Sequence, residues 1–207
     1  MARFIALLCL AVALPICAQV PVIIEEIGEL EGVRDPKCYA TASRLEDFIY
    51  GTPLESEARF EKIALQKAWI RGVWEKASAG DRKELDANAL RPVLQAAVPY
   101  TQMPDGSFVV GGLTVTARDK RQYGSVAYAL RAILAVQQDA MTDGTRLAPL
   151  SADAVELFKE AIDLTTLAAL QKADKSARKA NRDRVDAGTL RAAWHDVGGG
   201  AAAASAA

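Results

Sequence analysis

The sequence predicts a mainly α fold, a compact bundle of five or six helices with one small antiparallel β-hairpin. Three observations lead there. Apolar residues recur at helical spacing on both sides of the chain's middle. Proline and glycine stand where helices would start and stop. Only the stretch PDGSFVVGGLTVTARD pairs turn glycines with β-branched runs.

Taken in order, Asp35 can cap a first helix, Pro36 fits its first position, and Gly51 ends it after Tyr50. On that helix Cys38, Ala42, Leu45 and Ile49 share one face. Thr52-Pro53-Leu54-Glu55 has the form of a capping box and opens a second helix over 53–79, ended by Gly80. The short connection makes these two helices close neighbours. Trp69, Trp74, Phe60 and Ile63 read as core and flank of the second one. A third, shorter helix is expected after Asn88, with Pro92 in its first turn, where a missing amide costs little.

Ser107–Val110 and Leu113–Ala117 then read as a hairpin joined through Gly111-Gly112, with Tyr100–Met103 as a possible third strand before the Asp105-Gly106 turn. Asp119 with Gln122 makes another capping pattern, opening a helix through RQYGSVAYALRAILAVQQDAM with Val126, Leu130, Ile133 and Leu134 on its apolar side. Ser151 caps a long helix through VELFKEAIDLTTLAALQKADKSARKA, and a last short one runs from Gly188 or Thr189 to His195.

The ends of the chain read differently. Residues 1–18 have the layout of a secretory signal peptide: Arg3, an apolar run from Phe4 to Leu14, then Pro15 and a small residue, Ala18, at the cut. Leu14-Pro15-Ile16-Cys17 resembles a lipobox, but Ile16 stands where a small residue belongs. The other rival is a membrane anchor over 4–24, opposed by Pro15 and Pro21. Residues 19–34 form an acidic arm with Glu25, Glu26, Glu29 and Glu31, residues 35–197 the helical domain, and residues 198–207 a Gly/Ala-rich tail or linker.

Charge and residue inventory narrow the chemistry. The formal net charge is −1, so no overall field attracts nucleic acid or an anionic membrane. Cys9 and Cys17 fall within the signal segment, leaving Cys38 as the single cysteine of the mature chain; disulfides cannot staple such a domain. Cys38 reads as core, because no base or electropositive group accompanies it at helical spacing. His195 is the only histidine, so histidine–cysteine zinc sites are not expected, and Gly111-Gly112 lacks the spacing of a phosphate loop. No cofactor motif is present.

Six residues remain as candidate partner contacts. Lys172, Lys175, Lys179 and Arg182 fall at i, i+3, i+7 and i+10, which aligns them on one helical face. Arg121 and Tyr123 lie in the polar junction between hairpin and helix. The basic stripe lacks interleaved aromatics, which argues against a nucleic-acid reader. It suits a protein partner or an anionic envelope surface. The expected function is therefore a non-enzymatic extracytoplasmic protein-binding or envelope-assembly domain, standing alone or as the N-terminal part of a larger protein. The alternative is an exported carboxylate-dependent hydrolase acting on a polysaccharide, whose mark would be a pocket with two facing acids and one strongly raised pKa.

Overall fold

Ten consecutive residues, Ala161–Leu170, are all buried, which happens to a helix only when neighbours cover it on every side. They belong to α5 (Ala152–Lys179), the longest helix in a computed structural model that describes residues 52–80, 82–124 and 128–199. Around α5 stand α1 (Ser56–Ala77), α2 (Ala87–Ala97), α3 (Ala117–Gly124), α4 (Tyr128–Asp143) and α6 (Ala187–Trp194). A short π-helical turn, His195–Gly199, follows α6 and is kinked at Gly198, whose φ of +99° is not helical. Between α2 and α3 lies a three-stranded antiparallel sheet of β1 (Tyr100–Gln102), β2 (Phe108–Val110) and β3 (Leu113–Val115), in that spatial order. The fold is thus mainly helical with a small antiparallel sheet, as expected from the sequence. The signal segment, acidic arm, Cys38, the helix over 36–50 and most of the terminal tail lie outside the described residues.

The core is built on aromatic residues of α1 and α5. Trp69 and Trp74 each meet Phe158, with ring centroids 6.0 and 6.3 Å apart, and the Trp74 indole donates to the Ala148 carbonyl at 2.8 Å. Phe60 and Ile63 do not join them. These side chains are 74% and 50% exposed, so the expectation that they flank the core is corrected for both.

Helices α1, α2, α5 and α6 start by one recurring device. An apolar residue precedes each N-cap: Leu54 before Glu55, Leu85 before Asp86, Leu150 before Ser151 and Val185 before Asp186. These apolar residues pair as short parallel bridges, Leu54 with Val185 and Leu85 with Leu150. Backbone bonds of 2.8–3.0 Å close them: Glu55 and Val185 tie the starts of α1 and α6, Leu85 and Ser151 those of α2 and α5.

This device moves several helix boundaries. Helix α1 starts at Ser56, because Pro53–Glu55 is spent on the bridge to Val185. Asp86, not Asn88, caps α2 by accepting the Ala89 amide at 2.8 Å, and Pro92 consequently sits inside the helix, past its first turn. Thr116 caps α3 in place of Asp119, its hydroxyl accepting the Asp119 amide at 3.1 Å. Ser151 holds the N-cap position of α5, yet its hydroxyl donates to Leu85 and makes no capping bond.

The hairpin follows its turn chemistry. Gly111 and Gly112 have φ of +53° and +75°, the left-handed pair that a tight two-residue hairpin requires. Register pairs Phe108 with Val115 and Val110 with Leu113, and Tyr100–Gln102 adds the third strand. Phe108, Val110 and Val115 are buried. Among the described residues, no helix is long and apolar enough to cross a membrane.

Candidate functional site

Burying α5 on all sides also buries the polar residues within Ala161–Leu170. Thr165 and Thr166 solve this locally: their hydroxyls donate to the carbonyls of Ala161 and Ile162, at 2.7 and 2.8 Å. Thr166 also accepts from the buried Gln66 amide of α1 at 2.8 Å. Asp163 has no such exit, since an ionised carboxylate has no proton to give a carbonyl. It is 8% exposed, and its Oδ1 has no hydrogen-bond partner. Burial pushes its pKa up to about 7, against the opposing pull of Lys120 and Lys159; Glu160 and Glu156 add to the rise.

Asp163 lines a cleft of about 810 Å³ walled by the starts of α2 and α5 and by α3. Four of its carboxylates, Asp153, Glu156, Glu160 and Asp163, come from α5 alone. The facing walls bring Asn88 and Arg91 from α2, and Lys120 and Gly124 from α3. Two cations are committed: Lys120 to Glu160, with its ammonium 4.3 Å from the Phe108 ring centroid, and Lys159 to Glu156 at 2.9 Å. Asp153 is held ionised at the rim, its pKa lowered chiefly by the Ser151 hydroxyl, and it also accepts the Ala87 amide at 3.4 Å.

The residues predicted as partner contacts are dispersed. Lys172 pairs with Asp196 of the π-helical turn at 2.9 Å. Arg182 does not continue the stripe. Helix α5 ends at Lys179, Asn181 turns left-handed at φ +55°, and the Arg182 guanidinium folds onto Asp186. Lys175 and Lys179 are exposed on α5 and make no ion pair among the described residues. Arg121 is exposed on α3, whereas Tyr123 is fully buried, its ring 5.3 Å from that of Tyr128. Tyr123 is therefore a core residue, and the polar junction it was grouped with does not present it. His195 is exposed at the C-terminal end of α6, where a cation suits the helix dipole.

A different surface feature was not anticipated. Phe60, Ile63, Ala64 and Ala68 are all exposed and fall at i, i+3, i+4 and i+8 of α1, one strip along that helix. Ion pairs to other helices stand on α1 beside it: Glu61 with Arg191 at 2.7 Å, Lys67 with Asp139, and Arg71 with Asp143 at 2.7 Å. The last pair holds Asp143 at a pKa of about 2. Phe60 is the more exposed of the strip's two large residues, and an aromatic side chain left in water is the signal that finds it.

No family model matches the chain, and neither the curated proteins nor the solved structures contain a significant match to it.

Proposed function

We propose that the chain is a non-catalytic, extracytoplasmic protein-binding domain of an envelope assembly, with the apolar strip of α1 as its contact surface. The observation that carries this reading is the exposure of Phe60 and Ile63 one turn apart, beside two exposed alanines, on a helix whose other large apolar residues are covered. A strip of this kind gains from a protein partner by removing its apolar surface from water, and an aromatic anchor is the residue type that dominates such contacts. An anionic surface is the weaker choice of partner. Internal ion pairs engage Lys172 and Arg182, which leaves Lys175, Lys179 and Arg121 as the exposed cations of the predicted set. The export part of the proposal rests on the signal-peptide layout of residues 1–18, and it predicts a mature N-terminus at Gln19.

The raised pKa of Asp163 is the one observation favouring a carboxylate hydrolase. Such an enzyme places two acids on opposite sides of the scissile bond. Here the cleft's four acids share one helical wall and face cations, an arrangement suited to holding a ligand.

The test is a Phe60→Ser/Ile63→Ser variant of the full chain. It should melt within about 1 °C of the parent or slightly above it, because exposed positions contribute little to the fold. Native gels of envelope extracts should show the parent in a larger complex and the variant released from it. A variant that stays in the same complex, or a parent that migrates alone, overturns the reading.

A further inference from the structure

The cleft beside Asp163 lies on elements the α1 contact strip does not use, and its chemistry asks for a ligand of its own. A buried carboxyl oxygen without a donor is costly, and native structures normally supply one. The nearby ammonium groups of Lys120 and Lys159 are engaged with Glu160 and Glu156. Gly124 lines the cleft there, and a Cβ on it would stand 3.4 Å from Asp163 Oδ2, the near limit of ordinary contact. Arg91 enters from the α2 wall, exposed and without an ion-pair partner among the described residues. With Glu160 and Glu156 paired to the two lysines and Asp153 held by Ser151 and Ala87, Asp163 and Arg91 remain as one group of each sign on the cleft wall.

We infer that the cleft binds a small zwitterionic amine, whose ammonium group donates to Asp163 and whose carboxylate lies against Arg91. A charged donor is the partner that best offsets a desolvated carboxylate, because hydrogen bonds between ions are stronger than neutral ones. A guanidinium on the facing wall adds a fixed fork for the carboxylate. No covalent step is involved. Binding the ammonium draws Asp163 to its ionised form, so affinity rises with pH through the range in which Asp163 loses its proton, about pH 7. The surrounding charges are those of Lys120 on α3, Arg91 on α2, and Asp153, Glu156, Lys159 and Glu160 on α5 itself.

The experiment is calorimetric titration of the full chain with glycine, 4-aminobutyrate and 6-aminohexanoate, a series that varies the distance between the two charges. Methylammonium and acetate each carry one of the two charges, and N-trimethylglycine carries both but has no N–H to donate. The expected result is that one ω-amino acid binds more tightly than methylammonium or acetate, and that its affinity increases between pH 6 and pH 8. N-trimethylglycine, which has charge but no N–H, should bind worse than glycine. Asp163→Asn and Arg91→Gln should each weaken the best probe by about ten- to a hundredfold, the value of a charged hydrogen bond. Asp163→Asn keeps the side-chain shape, and its thermal melt confirms that the fold is present. Equal binding by acetate alone would mean an anion site and overturn the inference. So would unchanged binding by Asp163→Asn, or no heat from any probe at millimolar concentration.

Discussion

Asp163 and its neighbours Thr165 and Thr166 occupy the same buried stretch of α5, and only the aspartate is left with an unpaired oxygen. The consequence is a pH-dependent stability whose sign is fixed. Asp163 loses its proton near pH 7 in the folded chain and near 3.8 when unfolded. The folded state therefore binds the proton more tightly, and stability falls as pH rises from about 4 to about 7, levelling above that. The full shift corresponds to a loss on the order of 4 kcal/mol. Asp163→Asn should remove this slope, matching the parent near pH 4 and exceeding it in urea midpoint at pH 8. A parent–variant difference that stays constant with pH would contradict the burial of an ionisable carboxyl at this position.

Asp163 is not among the residues singled out from the sequence, although one signal for it is present there. An acid inside the run AIDLTTLAAL departs from its surroundings, and the departure can be seen in the sequence. What cannot be seen is that α5 is covered on every side there, because that depends on which helices pack around it. Tyr123 shows the same limit from the other direction. Its polar neighbours Lys120, Arg121 and Gln122 suggest a surface, while the start of α3 at Ala117 fixes which side of the helix turns inward.

Among elements, the hairpin was the easiest to read and the helix starts the hardest. Turn glycines act locally, so Gly111-Gly112 locates the turn whatever packs around it. Substitution separates the two roles those glycines combine. Both residues pay the cost of a left-handed backbone, but Gly112 faces open space, whereas a Cβ on Gly111 would stand 2.8 Å from Val197 Cα. Gly112→Ala should cost about 1 kcal/mol, and Gly111→Ala about 2–4 kcal/mol, since backbone must move as well. Chemical denaturation of the two variants measures this. Equal losses would mean that the π-helical turn does not press against the hairpin.

Helix starts are set by partners distant in sequence. Thr52 to Glu55 has the form of a cap, but a bridge to Val185 claims those residues, and Leu85 with Leu150 repeats the arrangement for α2 and α5. The pattern of an apolar residue followed by Glu, Asp or Ser occurs at all four starts. Its regularity becomes visible once the pairs are known. Arg182 leaves the basic stripe for a related reason: helical spacing predicts alignment only while the helix lasts, and α5 carries Lys172, Lys175 and Lys179 but stops before reaching Arg182.

At the scale of the whole molecule, the architecture divides its surfaces by chemistry. Helix α5 forms the axis, and α1 lays its tryptophans against Phe158 while a strip of the same helix carries Phe60 and Ile63 into solvent. The cleft at Asp163 is charged and is walled by α2, α3 and α5. A partner covering α1 and a small ligand in the cleft would therefore use different surfaces, and variants at one should leave the other's binding unchanged. The central claim, that the α1 strip is a protein contact, is tested most directly by placing a photo-crosslinking phenylalanine analogue at position 63 of the full chain and irradiating the producing cells. A discrete adduct with one other protein is expected, absent when the same analogue replaces Met141, which is exposed on α4 but is not part of the strip. No adduct from position 63, or the same adduct from both positions, would contradict it.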